Sequence, residues 1–228
     1  MRKRKLVILA ALEMETRAVA KALGLPFRRN CVLMDATATI ELYTIGMRAE
    51  YLPNALSALA PSPDDLVWLV GLGGALDPSL QVGDLVIDGP PGTALQPADA
   101  SFHRGRIHTS DRLVATPAQK RALFAQTAAL AVDMEQRLVR DKLAPLGISV
   151  MGVRAISDTA ETALEPHLLR LVTHVGRPRW AALAAALLRR PSLLVSLVRL
   201  GRDSSRAVKQ LTRGIQELVE LGPYNPPG

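Results

Sequence analysis

Three acidic residues stand where strand-like apolar runs end. Glu15 follows Leu6 to Ala11, Glu135 follows Ala128 to Val132 and Asp133-Met134, and Asp158 follows Ile148 to Ile156 and Ser157. A buried strand that ends on a carboxylate puts that acid at a sheet edge, where α/β folds build their sites. Two acids at one edge permit acid-assisted chemistry: one serves the leaving group while the other serves a nucleophile. A fourth run, Leu66 to Leu72, passes into Gly73-Gly74, as part of Gly71-Leu72-Gly73-Gly74. Taken singly, each feature has an ordinary role. Glu13 and Glu15 suit the first turn of a helix, Asp133 and Asp158 suit helix caps, and the glycines suit a turn. Strand ends of one polarity converge in space, so the four junctions together place Glu15, Gly73, Gly74, Glu135 and Asp158 around one crevice.

The elements that must position them alternate. Strands are expected at Leu6 to Ala11, Thr39 to Ile45, Leu66 to Leu72, Val82 to Ile87, Ala128 to Val132 and Ile148 to Ile156. Helices are expected at Glu15 to Leu23, Tyr51 to Ala60, Pro117 to Gln126 (with Thr116 as N-cap) and Met134 to Leu143. Residues 89 to 106, rich in Pro and Gly, read as a loop. Beyond Asp158 the pattern becomes helical: Pro166 to His174, Arg179 to Leu188, Leu193 to Leu200 and Ser204 to Leu221, with breaks at Arg177-Pro178 and Arg190-Pro191. Strand–helix alternation predicts an α/β fold with a mixed, mostly parallel sheet.

Composition narrows the class. At 228 residues and 48% hydrophobic, the chain supports one large packed domain. The lone Cys31 excludes an internal disulfide and reads as a small buried hydrophobe. Four scattered histidines give no metal-ligand spacing, so no metal is expected. The basic start Met1 to Lys5 precedes an apolar run too short for a signal peptide, and no apolar run reaches spanning length. The expected location is the cytoplasm. Charge is uneven: nine Lys and Arg between Arg177 and Arg213 face one acid, Asp203, so this segment carries +8 of a net +7 and the remainder −1.

Four ordered segments carry a resemblance. They are Ala10-Ala11-Leu12-Glu13-Met14-Glu15; Val70 to Pro78 with Val82-Gly83-Asp84-Leu85-Val86; Ala131-Val132-Asp133-Met134-Glu135; and Val153-Arg154-Ala155-Ile156-Ser157-Asp158. The chain resembles the nucleoside phosphorylase/nucleosidase superfamily, and its core is most similar to methylthioadenosine/S-adenosylhomocysteine nucleosidases. The resemblance implies a three-layer α/β/α sandwich with a central mixed sheet, plus a C-terminal helical extension. It also implies cleavage of the N-glycosidic bond of an adenine nucleoside. Asp158, beside Ser157, would serve N7 of the leaving adenine. Glu135 would hold the ribose hydroxyls and stabilise the cationic sugar, with Met134 packed on the sugar. Gly73 and Gly74 would approach the substrate through their backbone, and Glu15 would activate water. No cofactor is implied, although inorganic phosphate is a conceivable co-substrate. A homodimer or larger homo-oligomer is expected, with no nucleic-acid partner.

The chain also departs from those relatives. Leu69 or Val70, and Leu72, stand where phosphorylases use Arg and Ser for phosphate; Arg48, after Gly46-Met47, could supply one cation, with a surface arginine as its ordinary reading. Leu113 stands where nucleosidases stack an aromatic on adenine. The basic, leucine-rich segment that follows Arg177 is longer than nucleosidases carry. With that segment included, the chain is similar to the hopanoid-associated phosphorylases, which implies adenosylhopane as substrate. The expected organisation is a catalytic domain, 1–176, and an extension, 177–228, packed on it or lying at a membrane surface. The extension's Leu-rich and Arg-rich faces suit peripheral contact with an anionic inner-membrane face through 177–213. A helical cap on the core with a solvated basic face is the ordinary alternative. At the level of function the alternatives are a general methylthioadenosine/S-adenosylhomocysteine nucleosidase and a non-catalytic, membrane-associated nucleoside-lipid binder.

Overall fold

The computed structural model describes residues 5–25, 31–34, 39–89, 102–165 and 168–221. The basic start, most of the Pro/Gly-rich stretch after residue 89, the side chain of Cys31 and the C-terminal tail lie outside the described residues. Nine strands form one sheet among these residues. They are β1 (Lys5–Ala10), β2 (Cys31–Met34), β3 (Thr39–Thr44), β4 (Leu66–Ala75), β5 (Leu85–Asp88), β6 (Phe102–Arg104), β7 (Ile107–Thr109), β8 (Ala131–Asp133) and β9 (Val150–Asp158). The helices are α1 (Glu13–Ala22), α2 (Leu52–Leu59), α3 (Pro117–Thr127), α4 (Gln136–Leu143), α5 (Trp180–Arg189) and α6 (Leu193–Leu221).

Strand order is β2-β3-β1-β4-β9-β5-β6, with β8 joined to the far end of β4 and β7 to β8. The central strands β3, β1, β4 and β9 run parallel, whereas β2, β5 and β8 oppose their neighbours in this group. Burial on both faces explains why these strands read as continuous apolar runs. Leu6, Ile8 and Ala10 turn to one face and pack with Val19 and Ala20 of α1 and with Ala207, Leu211, Ile215 and Leu218 of α6. Val7 and Leu9 turn to the other and meet Leu52 and Ala55 of α2 and Val139 and Leu143 of α4. Helices on both faces of a mixed sheet make the expected three-layer α/β/α sandwich.

Several elements differ from the sequence expectation. Strand β4 continues through the glycines to Ala75 because β9 and β8 pair with that half. The run from Val82 yields a strand only from Leu85, since Val82-Gly83 form a turn with Gly83 at φ +102°. Within the expected loop, Phe102–Arg104 forms a strand against β5. Residues Leu168–Leu171 form one short 3-10 turn in place of the helix expected from Pro166. The two expected C-terminal helices are a single α6: Gly201 lowers helix propensity without breaking the helix, and no proline intervenes. The second half of α6 belongs to the main core, whereas α5 and the start of α6 bury little.

Candidate active site

Glu15 sits one turn into α1, where its carboxylate joins two elements. Oε2 accepts from the amide of Leu12 at 2.8 Å, closing the first turn of α1, and Oε1 accepts from the amide of Leu72 in β4 at 2.8 Å. The side chain fits because residue 71 is glycine: a Cβ there would lie 2.8 Å from Oε1. Glu15 is 2% exposed. Burial raises its pKa to about 7, against the lowering effect of the two amides and of Arg154, with Glu135 reinforcing the rise. A carboxylate that titrates near neutrality is suited to take a proton from water. A helix-start role and a pKa near neutrality therefore coexist in one residue.

Glu135 follows β8 and is also buried. Its Oε1 accepts from the amide of Arg48 at 2.9 Å. Arg48 and Ala49 hold φ of +57° and +55°, a left-handed pair that non-glycine residues adopt at a cost of roughly 1–2 kcal/mol each. That turn aims the Arg48 amide at Glu135 and leaves the guanidinium exposed. Arg48 thus enters through its main chain, not as the cation expected from its type. Burial raises the pKa of Glu135, Arg154 opposes the rise, and Asp133 adds to it.

Between these acids stands Arg154, 2% exposed in the middle of β9. It donates to Asp133 Oδ2 at 2.5 Å and to the Leu69 carbonyl at 2.7 Å. Asp133 in turn accepts from Thr109 Oγ1 and from the amide of Gln136, both at 2.8 Å. Its side chain thus satisfies the first amide of α4, although the N-cap position falls to Glu135 and not, as expected, to Asp133, and it anchors Arg154 as well. No role was assigned to Arg154 from sequence, although the signal was present. A lone arginine inside an apolar strand must bring its own partner.

Asp158 ends β9 beside a bulge. Gly73 pairs with Ile156 and Gly74 with Asp158, so Ser157 is the extra residue and the register shifts. The bulge turns Asp158 toward Gly74, where a Cβ would lie 2.9 Å from Oδ2. Ser157 Oγ donates to Asp158 Oδ1 at 2.8 Å and lies 3.3 Å from the Gly73 carbonyl. Gly73 itself packs on β9 and β8: a Cβ there would meet the Val132 carbonyl at 3.1 Å and Arg154 Cβ at 3.3 Å. A partner that sequence reasoning missed completes this corner. Lys120 of α3, fully buried, donates to Asp158 Oδ2 at 2.5 Å. Nothing local marks Lys120, which reads as one more charged residue on a short helix.

Asp158 also borders a small cleft of about 60 Å³ with Gly74, Leu113, Val114, Met134 and Leu164. Glu15 and Glu135 do not line it; both feel the charge of Arg154, whose ion-pair partner Asp133 does. The predicted residues Gly74, Leu113, Met134 and Asp158 therefore share one wall, and Glu15 and Glu135 share one buried cation. Together they offer a base near neutrality, a buried acid that faces a cation, and a narrow, mostly apolar slot.

No family model matches the chain, and no curated protein matches it. Solved structures do. The 5′-methylthioadenosine/S-adenosylhomocysteine nucleosidase of Helicobacter pylori aligns over 96% of this chain and 99% of its own, at 15% identity and TM-score 0.65. The futalosine hydrolase of Helicobacter pylori aligns over 95% and 97%, at 15% identity and TM-score 0.63. The 5′-methylthioadenosine nucleosidase of Arabidopsis thaliana aligns over 100% and 98%, at 13% identity and TM-score 0.66. Across essentially its whole length, including the C-terminal segment expected to exceed theirs, the chain has the fold of these nucleosidases.

Proposed function

We propose that the chain is a nucleosidase that breaks the N-glycosidic bond of an adenine nucleoside. The observation that carries this reading is the buried constellation of Glu15, Glu135 and Asp158 at the ends of β1, β8 and β9. Asp158 serves N7 of the departing base in the slot bordered by Leu113 and Met134. Glu135 takes the ribose hydroxyls and stabilises positive charge on the sugar. Glu15 takes a proton from the attacking water. Hydrolysis is favoured over phosphorolysis because the positions that would hold phosphate, Leu69 and Val70, are buried apolar strand residues, and the Arg48 side chain points to solvent.

The test is release of free adenine from 5′-methylthioadenosine, S-adenosylhomocysteine and detergent-solubilised adenosylhopane, each with and without inorganic phosphate. Phosphate-independent release is expected. Strict phosphate dependence would replace the water step, and no release from any of the three would sink the reading.

A second observation bears on the substrate's other end. Trp180, Leu188, Val195 and Val198 of α5 and early α6 are 73%, 85%, 75% and 63% exposed, among exposed arginines at 179, 189, 190, 199 and 202. Apolar side chains flanked by arginine suit the interface of an anionic membrane. That favours a lipid-linked nucleoside such as adenosylhopane, reached from the membrane surface. No helix of the described residues is long and apolar enough to cross a membrane, so the contact would be peripheral. The wild type is expected to float with vesicles of anionic lipid. Replacing Trp180, Leu188, Val195 and Val198 by Ser should abolish flotation but not adenine release from a soluble nucleoside. Undiminished flotation would remove the support for a lipid substrate.

A further inference from the structure

The nucleosidase reading needs a proton at the leaving base, and the structure leaves its source open. Asp158 accepts at both carboxylate oxygens, from Ser157 at Oδ1 and from Lys120 at Oδ2. Placed so, the carboxyl group accepts hydrogen bonds in the resting site and donates none. Lys120 does. Its ammonium carries three N–H donors, and each has an acceptor: Asp158 Oδ2 at 2.5 Å, the Thr159 carbonyl at 2.7 Å and the Thr162 carbonyl at 3.1 Å.

This arrangement tolerates loss of one proton. After transfer to Asp158, the neutral amine keeps two N–H bonds to the carbonyls and turns its lone pair toward the new carboxylic acid. The acceptor oxygen is also the one over Gly74, on the wall of the slot.

We propose that Lys120 is the proton reservoir for departure of the base, acting through Asp158; this inference rests on the nucleosidase reading. Lys120 does not touch the base and is a positioning residue. The C1′–N9 bond breaks with its electron pair passing to the base. N7 takes a proton from Asp158, which takes one from Lys120 Nζ. Water adds to C1′ and gives its proton to Glu15. The site ends with Lys120 as a free amine and Glu15 as a carboxylic acid, and proton exchange with solvent on product release resets both. A base that gains electron density as it leaves becomes more basic, so the transfer is drawn forward only when the bond breaks.

Lys120→Met tests this with 5′-methylthioadenosine and its 8-substituted analogues, chosen to vary the basicity of the leaving base. The expected result is a fall in kcat of about 10²-fold with KM changed little. The dependence of rate on leaving-base basicity should be steeper than in the wild type. A purely structural role would slow every analogue equally, and that result, or a kcat within threefold of wild type, would overturn the inference. Removal of one partner of a buried pair can unfold a protein, so melting curves are recorded alongside. Lys120→Gln, which keeps two N–H donors for the carbonyls but no transferable proton, should show the same steepening if the Met variant does not fold. A wild type that releases base from no nucleoside overturns the nucleosidase reading and this inference with it. An active wild type whose Lys120 variants keep its leaving-group dependence overturns this inference alone.

Discussion

Glu15→Gln is expected to lower base release by about 10²- to 10⁴-fold while the chain stays folded. The glutamine retains one oxygen for the Leu12 or Leu72 amide and fits the gap over Gly71, so the junction of α1 and β4 survives. What it loses is a group that can take a proton from water. The pH dependence makes the test specific. Burial raises the Glu15 pKa to about 7, so in the wild type kcat/KM should rise as pH climbs through 7 and the carboxylate forms. That acid limb should be missing from the residual activity of the variant. Stability should move the other way. A folded-state pKa raised above the ordinary 4.5 means that the fold retains a proton that the unfolded chain releases. This contribution is complete below 4.5 and is lost as pH rises through about 7. The Tm difference between variant and wild type should therefore shift in the variant's favour from pH 5 to pH 8. An unchanged limb in the variant, or a Tm difference that ignores pH, would remove Glu15 from the role of base.

How much of this site could be read in the chain follows from which interactions are local. β1, β4 and β9 were legible because parallel strands buried on both faces leave uninterrupted apolar runs, and Glu15, Glu135 and Asp158 were legible because they end or follow such runs. Thr116 and Pro117 marked the start of α3 by cap chemistry that is complete within four residues, and the structure contains it. The glycines were harder. Gly71 and Gly74 make room for carboxylates that approach from residues 56 and 84 positions away, and no local pattern tells such a glycine from a turn. β7 is three residues long and exists by pairing, not by propensity, whereas the strand expected at Ala128 to Val132 is present as the shorter β8. Lys120 was invisible for the same reason: its partner is 38 residues away, and its helix carries no strong apolar stripe to define an inward face. The single α6 was misread because Gly201-Arg202-Asp203 resembles a break, while the packing of Ala207, Leu211, Ile215 and Leu218 against the sheet holds the helix in place.

The second large effect concerns Arg154, a buried cation that acts on both Glu15 and Glu135. Arg154→Met keeps much of the apolar stem but leaves Asp133 a buried carboxylate without its counter-ion. Breaking a buried pair from one side costs about 3–5 kcal/mol, and for a chain of this size that lowers Tm by roughly 10 °C or more. The loss should be largely repaired in Arg154→Met with Asp133→Asn, because the asparagine oxygen can still accept from the Gln136 amide while its NH2 donates to Thr109 Oγ1. Activity should not be repaired with it. Arg154 lowers the pKa of both Glu15 and Glu135, so without it each carboxyl holds its proton more tightly. The acid limb of kcat/KM should then move to higher pH in the double variant as well as in the single one. Recovery of stability and pH profile together would mean that Arg154 serves only as the partner of Asp133. Recovery of stability alone would mean that the cation is kept in the sheet to hold two buried acids in their charged forms. β9 would then tolerate an arginine among apolar neighbours for the sake of the reaction.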